Sequence, residues 1–205
     1  HIRRDKATSN ICTAQALLAS MAGMYACYHG PEGLRQIAGR VHGLARLLAA
    51  GLERLGHKVQ HGSFFDTLRV EHSSQSAADM VKIAEAYRIN LRALDDRGVS
   101  GALDETTTES DVAELLQVFN EGREVPFGLD DLAASEALPT QLRRESEFLT
   151  HEVFLKHRSE TELMRYLKRL ESRDLSLAHS MIPLGSCTMK LNAAAEMMPI
   201  AWPQF

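Results

Sequence analysis

The sequence predicts an α+β fold, in which helices pack on a small, mainly antiparallel sheet and a C-terminal helix with an extended arm follows. Three observations support this class: two long helix-forming stretches before Gly56, short strand-like stretches on both sides of Gly62, and a turn sequence at residues 95–98 between apolar residues. Helices and strands therefore come in segregated groups. With 205 residues and 44% hydrophobic content, the chain has enough apolar material for a packed core.

Two helices are predicted at the start of the chain. Residues 8–10 are helix-capping candidates, and residues 11–28 are so rich in Ala, Leu and Met that the helix is apolar on nearly every face. Gly30 and Pro31 interrupt it, and a second helix with one apolar stripe then runs to Gly56. A helix that is apolar all round must be covered on all sides, so we expect the first helix to lie between layers or against another subunit.

The middle of the chain predicts the sheet. Residues 57–61 and 63–71 have the partly alternating composition of strands, and residues 73–76 supply caps for a third helix. The segments 91–94 and 99–103 flank a turn sequence with Asp at its start and Gly at its end, which predicts a hairpin. We expect these strands to pair in one small antiparallel sheet.

A fourth helix completes this α+β unit. Thr108 with Asp111 resembles a capping box in which Asp takes the place of Glu, and Gly122 is placed to end the helix. The order of helices, strands, helix, hairpin and helix makes a unit of about 120 residues that has the size of a small domain.

Three regions follow from this pattern. Residues 1–122 form the α+β unit, and residues 123–145, with two prolines and mixed charges, form a connector. Residues 146–205 begin a new unit, where Ser159 and Glu162 cap a helix and a polar-studded arm follows.

Composition argues against several classes of protein. The net charge of −4 comes from intermixed acidic and basic residues, so no basic face indicates nucleic-acid binding. No stretch approaches the roughly 20 apolar residues of a membrane span. Three irregularly spaced cysteines, Cys12, Cys27 and Cys187, do not resemble a disulfide scaffold and fit a reducing compartment. We expect a cytoplasmic protein that binds neither nucleic acid nor a membrane.

The familiar signatures of catalysis and metal binding are missing. The sequence carries no phosphate-binding loop, nucleophile elbow or dinucleotide fingerprint. His57 and His61 would need a third metal ligand that the sequence does not identify. Histidines that are solvated or satisfied inside a core are far more common, so no metal site is predicted.

Polar side chains are instead concentrated in residues 180–192, where Ser, Cys, Thr, Lys and Asn stand among apolar residues beside a Gly turn. Each such group costs free energy when it is desolvated without a partner, so the run indicates part of a site whose other half lies elsewhere. Lys190 is a candidate for a Schiff base, although structural or solvated lysines are more common. Cys12 and Cys187 are either reactive thiols or buried small hydrophobes.

Two segments of the chain resemble one family. Residues 2–19 and 180–192 are closely similar to the P-protein of the glycine cleavage system, the pyridoxal-phosphate-dependent glycine decarboxylase. Residues 28–31 and the long helix between the two segments agree with it. The resemblance therefore covers essentially the whole chain.

The resemblance implies a position within a larger enzyme. P-proteins resemble two fused or paired copies of a fold-type I aminotransferase-like unit, of which the second holds the cofactor lysine. Residues 1–122 would be the small C-terminal domain of the first, degenerate copy, and residues 146–205 the N-terminal helix and arm of the second. The family's cofactor lysine lies downstream of the arm and has no counterpart here. We expect an internal fragment that is inert alone and does not hold pyridoxal 5'-phosphate.

For the whole enzyme, the resemblance implies decarboxylation of glycine through an aldimine with pyridoxal phosphate and transfer of the aminomethyl group to the lipoyl H-protein. The other implied partners are the remaining P-protein domains and a second copy in a homodimer. No residue of this chain is expected to be catalytic. The side chains expected to line the cofactor pocket lie on the arm and on the corresponding edge of the first copy: Ser186, Cys187, Thr188, Lys190 and Asn192, with Thr8, Asn10, Cys12 and Thr13.

An alternative function is a non-catalytic α+β interaction or oligomerisation module, whose arm binds in a groove of a partner. For the enzyme fragment, the apolar first helix and the polar arm would find their partners in the missing domains. The isolated fragment is then expected to expose apolar surface and to self-associate.

Overall fold

The structure is a computed structural model that describes residues 14–132, 138–173 and 194–204. Contacts divide the chain into two compact units: the central unit, Glu32–Phe148, and the terminal unit, which combines His1–Pro31 with Leu149–Phe205. The helices and strands of the described residues are α1 (Ala14–Arg54), β1 (Lys58–Val59), β2 (Thr67–Glu71), α2 (Ala77–Ala86), β3 (Arg92–Ala93), β4 (Gly98–Ala102), α3 (Glu109–Phe119), α4 (Val153–Lys156), α5 (Glu160–Glu171) and α6 (Ala194–Met197).

The sheet belongs to the central unit and has the strand order β1-β2-β4-β3, with every neighbouring pair antiparallel. β2 and β4 pair along their full length, from Thr67 opposite Ala102 to Glu71 opposite Gly98. Along β2 the second and fourth residues are buried while the first and third are exposed, as expected when one face of a sheet covers a core. The predicted α+β class with a small antiparallel sheet is confirmed.

The helix α1 consists of two helical segments that meet at Gly30, whose φ of 62° and ψ of −176° are not helical. Pro31 follows it in the first turn of the second segment, where its missing N–H has no helical partner to lose. The predicted break at residues 30–31 is therefore confirmed. The second segment turns its apolar stripe to the core of the central unit, whose fully buried large side chains include Leu52, Leu68, Met80, Leu116, Val99, Val112 and Val118.

The predicted ends of the helices are also present. Gly56 adopts a φ of 86° and follows α1, and Gly122 adopts a φ of 76° after α3. Ser76 caps α2 by accepting the backbone N–H of Asp79. Each Gly occupies the left-handed conformation that favours glycine just beyond a helix.

The capping box of α3 forms as predicted. The Thr108 side chain accepts the backbone N–H of Asp111 at 3.3 Å, and the Asp111 carboxylate accepts the backbone N–H of Thr108 at 2.7 Å. The Thr108 hydroxyl also donates to the Asp111 carboxylate at 2.7 Å, and this hydrogen bond, followed by that from the Thr108 backbone N–H, lowers the pKa of Asp111. A shortened box with Asp thus satisfies the same two backbone donors as one with Glu.

The terminal unit is helical in its described part. Ser159 caps α5 by accepting the backbone N–H of Glu162 at 3.3 Å, as predicted. The predicted arm at residues 180–192 lies outside the described residues. The assignment of residues 1–122 and 146–205 to two copies of a larger fold remains a prediction.

Three strands are shorter than predicted, among them β3, which covers two residues of the segment 91–94. β1 covers two residues of the segment 57–61, and β2 begins at Thr67 although the strand-like composition begins at Ser63. The segment between them, residues 60–66, carries Gly62, Phe64 and Phe65. No helix among the described residues combines the length and the apolarity needed to cross a membrane.

Candidate functional site

The side chains predicted to line a cofactor pocket lie outside the described residues, so their arrangement remains a prediction. This holds for Ser186, Cys187, Thr188, Lys190, Asn192, Thr8, Asn10, Cys12 and Thr13. The described cysteine, Cys27, is a free thiol that is 3% exposed, and burial raises its pKa. Because the thiolate is the reactive form, Cys27 fits a structural role.

The lysines of the described residues do not fit a Schiff-base site for pyridoxal phosphate. Such a lysine sits in a pocket that desolvates and orients its amine. The four lysines within 14–132, 138–173 and 194–204 are all solvent-exposed: Lys58, Lys82, Lys156 and Lys168. Three of them pair with a carboxylate three or four residues away in the chain.

Two buried histidines meet at the C-terminal end of α3. His57 follows the turn that ends α1, and His72 directly follows β2. The Nε2 atom of each ring lies 3.0 Å from the carbonyl oxygen of Phe119, and the ring centroids are 4.2 Å apart. Because a carbonyl oxygen accepts only, both Nε2 atoms carry a proton and donate to it.

The Nδ1 atoms of the same two rings accept backbone N–H groups from the turn before α2. Ser73 donates to Nδ1 of His57 at 3.3 Å. Ser74 and Gln75 donate to Nδ1 of His72 at 3.2 and 2.8 Å. Both rings are therefore neutral Nε2–H tautomers with both nitrogens satisfied, an arrangement typical of structural histidines.

The electrostatics of His57 agree with a neutral ring. Burial, and next the neighbouring His72, lower the pKa of His57, while the hydrogen bond to the Phe119 carbonyl and then Glu121 act in the opposite direction. Glu121 accepts hydrogen bonds from the side chains of Gln75 and Ser74, both at 3.1 Å, and these lower its own pKa. The carboxylate is thus held by the turn, and its attraction does not offset the burial of His57.

The histidine pair resolves one question left by the sequence. The interpretation of His57 as satisfied within a core is confirmed, whereas His61 is exposed. Sequence reasoning missed His72, although it lies two residues after Val70 and continues the buried side of the β2 alternation. Among the described residues, no group of three or more His, Cys, Asp or Glu side chains is placed to hold a metal ion.

The open side of the sheet carries a hollow of about 440 Å³. Its polar side chains pair with each other: Arg69 donates to Asp95 at 2.7 Å, and Gln60 donates to Glu71 at 2.7 Å. The backbone N–H groups of Arg97 and then Gly98 lower the pKa of Asp95, with Arg69 adding to this. These polar groups stabilise the β3–β4 turn and each other.

The terminal unit has a close contact at the break in α1. A Cβ atom on Gly30 would lie 2.7 Å from the carbonyl oxygen of Phe154 and would press on the guanidinium of Arg158. Next to this contact, His157 is buried and stacks on Tyr166 with ring centroids 4.1 Å apart. Gly30 therefore supplies both the left-handed turn and the space that Arg158 occupies.

Comparison with known proteins identifies the family. The family model described as glycine cleavage system P-protein matches residues 1–119. The whole chain is 58% identical over 207 residues to glycine dehydrogenase (decarboxylating), mitochondrial, of Pisum sativum, covering 19% of that protein. Glycine dehydrogenase (decarboxylating) of Vibrio cholerae is 55% identical over 208 residues, and that of Nostoc punctiforme 54% over 212; in both, the chain covers 22% of the relative. The chain thus spans about a fifth of the length of these relatives, and it belongs to the glycine cleavage system P-protein family.

Proposed function

We propose that this chain is part of a glycine dehydrogenase (decarboxylating), to which it contributes structure and not the reacting groups. The observation that carries this proposal is the 58% identity along the entire chain to a protein of that name. Since the chain spans only 19% of that relative, the chain alone is expected to be inert.

The described geometry supports a structural contribution. Two buried polar side chains of the central unit, His57 and His72, are satisfied by Phe119 and the turn at residues 73–75. Groups that are saturated in this way stabilise a fold and are not free to bind a substrate. The central unit is therefore proposed to be a scaffold that holds its neighbouring segments in place.

The run at residues 180–192 is proposed to line the cofactor pocket of the complete enzyme. Its contribution would come from Ser186, Cys187, Thr188, Lys190 and Asn192, with Thr8, Asn10, Cys12 and Thr13 at the corresponding edge of the first copy. In such an enzyme pyridoxal phosphate acts as the electron sink when bound, and the protein orients it and excludes water. The residues of this chain would hydrogen-bond and position the group without bonding to it covalently.

The partners follow from the same proposal. We expect glycine as the substrate, the lipoyl H-protein as the acceptor of the aminomethyl group, the remaining P-protein domains as covalent or associated neighbours, and a homodimeric assembly. The three sparsely placed cysteines fit a reducing compartment such as the cytoplasm. The name of the Pisum sativum relative describes that protein as mitochondrial.

A chimera tests the proposal directly. The matching segment of the Vibrio cholerae relative is replaced by this chain, and glycine-dependent release of carbon dioxide is measured with pyridoxal phosphate and lipoyl H-protein present. We expect activity within about tenfold of that of the parent, because 55% identity over the full segment preserves its core. This chain alone is expected to release no carbon dioxide and to show no cofactor absorbance that borohydride removes.

Two controls are needed to interpret the activity of the chimera. Replacing the segment by a Gly/Ser linker of equal length should abolish activity, and cofactor absorbance shows whether each variant has folded. A chimera that holds the cofactor but releases no carbon dioxide would refute the proposal. Catalysis by the isolated chain would refute it as well.

The pocket-lining residues have a separate test in the active chimera. Thr188→Val is expected to weaken pyridoxal phosphate binding by about tenfold, the cost of about one hydrogen bond to a charged group. Thr161→Val, at an exposed position of α5, is the matched control and should leave cofactor binding unchanged. Equal cofactor affinity in both variants would remove Thr188 from the proposed pocket and leave the enzyme assignment untouched.

One observation fits the alternative interaction function as well as the enzyme fragment. The first segment of α1 exposes Leu18, Met21, Tyr25 and Tyr28 along one stripe. Contiguous exposed apolar residues are typical of interaction surfaces. The two functions differ in the chimera, because an interaction module would restore assembly without restoring release of carbon dioxide.

A further inference from the structure

The two histidines at the C-terminal end of α3 share one hydrogen-bond acceptor, which a scaffold does not require. His57 and His72 donate to one carbonyl oxygen, that of Phe119, although the two segments that carry them are separated by β1 and β2. His57 is 7% exposed and His72 is 1% exposed. Three separate parts of the central unit are thus joined through one buried acceptor.

The hydrogen bonds of this cluster depend on the charge state of the rings. In the neutral state each Nδ1 accepts from the turn, from Ser73 at His57 and from Ser74 and Gln75 at His72. An added proton can bind only at Nδ1, because Nε2 already carries one. It would place an N–H group against the N–H groups of the turn and so convert attractive contacts into donor–donor repulsion.

The surrounding charges do not supply a replacement acceptor at Nδ1. Glu121 lies beyond the C-terminal end of α3, where it accepts from the turn and pairs with Arg123 at 3.0 Å. From the β3–β4 turn, Arg97 donates to the carbonyl oxygens of His72, at 2.7 Å, and Ser73. Two charged rings with centroids 4.2 Å apart would also repel each other.

We propose that His57 and His72 form a proton-operated latch, which holds the turn at residues 73–75 against the C-terminal end of α3 while both rings are neutral and releases it when protons bind. The lowered pKa of His57 agrees with this direction. A histidine with a lowered pKa stabilises the folded state above its ordinary value of about 6.5, and that contribution is lost as the pH falls below it. The pairing of β2 with β4 uses backbone groups only and persists.

Hydrogen exchange of the 205-residue chain at pH 7.5 and pH 5.5 tests the latch. Protection factors corrected for intrinsic exchange are compared at each amide. We expect the amides of Ser74 and Gln75 to lose protection by at least about tenfold, the change that one proton produces over one pH unit. The amides bonded between β2 and β4 should change by less than about twofold.

The variant His57→Gln separates the latch from general acid sensitivity. An amide side chain can donate to Phe119 and accept from Ser73 but does not titrate. We expect the pH-dependent loss of protection at Gln75 to shrink by at least about threefold, because the repulsion between two charged rings is gone. His61→Gln, an exposed histidine four residues away, should keep the full loss.

Three results would overturn the latch. One is an unchanged loss of protection in His57→Gln, and another is an equal effect of His61→Gln. The third is uniform loss of protection across the sheet, which indicates global unfolding. If His57→Gln does not fold, imidazole ¹⁵N chemical shifts of the unaltered chain decide: Nε2–H tautomers in both rings at pH 7.5 support the latch, and an Nδ1–H tautomer in either ring refutes it.

Discussion

The central and terminal units both contain apolar helical segments, but these segments are buried in the central unit and exposed in the terminal unit. In the central unit the stripe of α1 is covered by the sheet and by α2 and α3, and its large side chains are almost fully buried. In the terminal unit the first segment of α1 leaves Leu17 and Leu18 each 66% exposed, and α5 leaves Met164 61% exposed. An apolar composition predicts that a helix surface packs against another surface. It does not show which molecule provides that second surface.

The largest expected difference between the units comes from truncating a leucine in each. Leu52→Ala, at a side chain with 0% exposure, should lower the free energy of unfolding by about 2–5 kcal/mol, because it removes buried methyl groups and leaves a cavity. Leu17→Ala should change it by no more than about 0.5 kcal/mol. Urea unfolding of the full chain measures both, and similar losses would contradict the contrast between the two units.

A smaller effect is expected where α1 and α3 touch in the central unit. A Cβ on Gly51 would lie 2.6 Å from Cδ2 of Leu116, so Gly51→Ala should lower the free energy of unfolding by about 1–3 kcal/mol through overpacking. Gly43, on the same helix, has no neighbouring atom within 4 Å of that position. Gly43→Ala should raise stability by up to about 1 kcal/mol, and the same urea experiment shows whether the two changes have opposite signs.

Removing a helix cap is also expected to have different effects in the two units. Thr108→Ala removes one half of the capping box of α3 and should lower the free energy of unfolding by about 1 kcal/mol. Ser159→Ala removes a cap from α5, none of whose residues is buried, so it should affect local exchange more than global unfolding. Hydrogen exchange of both helices tests this, and a larger global loss from Ser159→Ala would show that α5 is part of the cooperative core.

The smallest effect on the free energy of unfolding is expected at the exposed apolar residues of the first segment of α1. There, self-association is the informative measurement. The chain should self-associate in light scattering, and Leu18→Ser should weaken this while changing the free energy of unfolding by less than about 0.5 kcal/mol. Leu142→Ser, at a residue of the central unit that is 59% exposed, is the matched control and should leave association unchanged. A monomer at all concentrations would show that the stripe does not drive association.

Local signals account for the part of the fold that the sequence predicted. The break at Gly30, the cap at Ser76 and the box at Thr108 each depend on residues close together in the chain, so short patterns suffice. His72 was missed because its partner Phe119 is 47 residues away, and no short pattern joins them. Strand lengths were overestimated because composition does not show where pairing stops.

The candidate site was less accessible to prediction for a related reason. A pocket assembled from distant segments depends on their packing, and the residues proposed to line it, such as Thr8 and Thr188, lie outside the described part of the chain. The sequence predicts the chemistry that those side chains offer. Their common location rests on the resemblance to a family and not on local pattern.

The lengths of the four strands restrict how this chain can aggregate. The two edge strands, β1 and β3, have two residues each, whereas the central strands β2 and β4 have five. A two-residue edge offers few free backbone groups to an incoming strand, so growth of the sheet into a cross-β fibre is disfavoured. Assemblies of this chain should therefore form through helix side chains, remain reversible on dilution and fail to bind amyloid dyes.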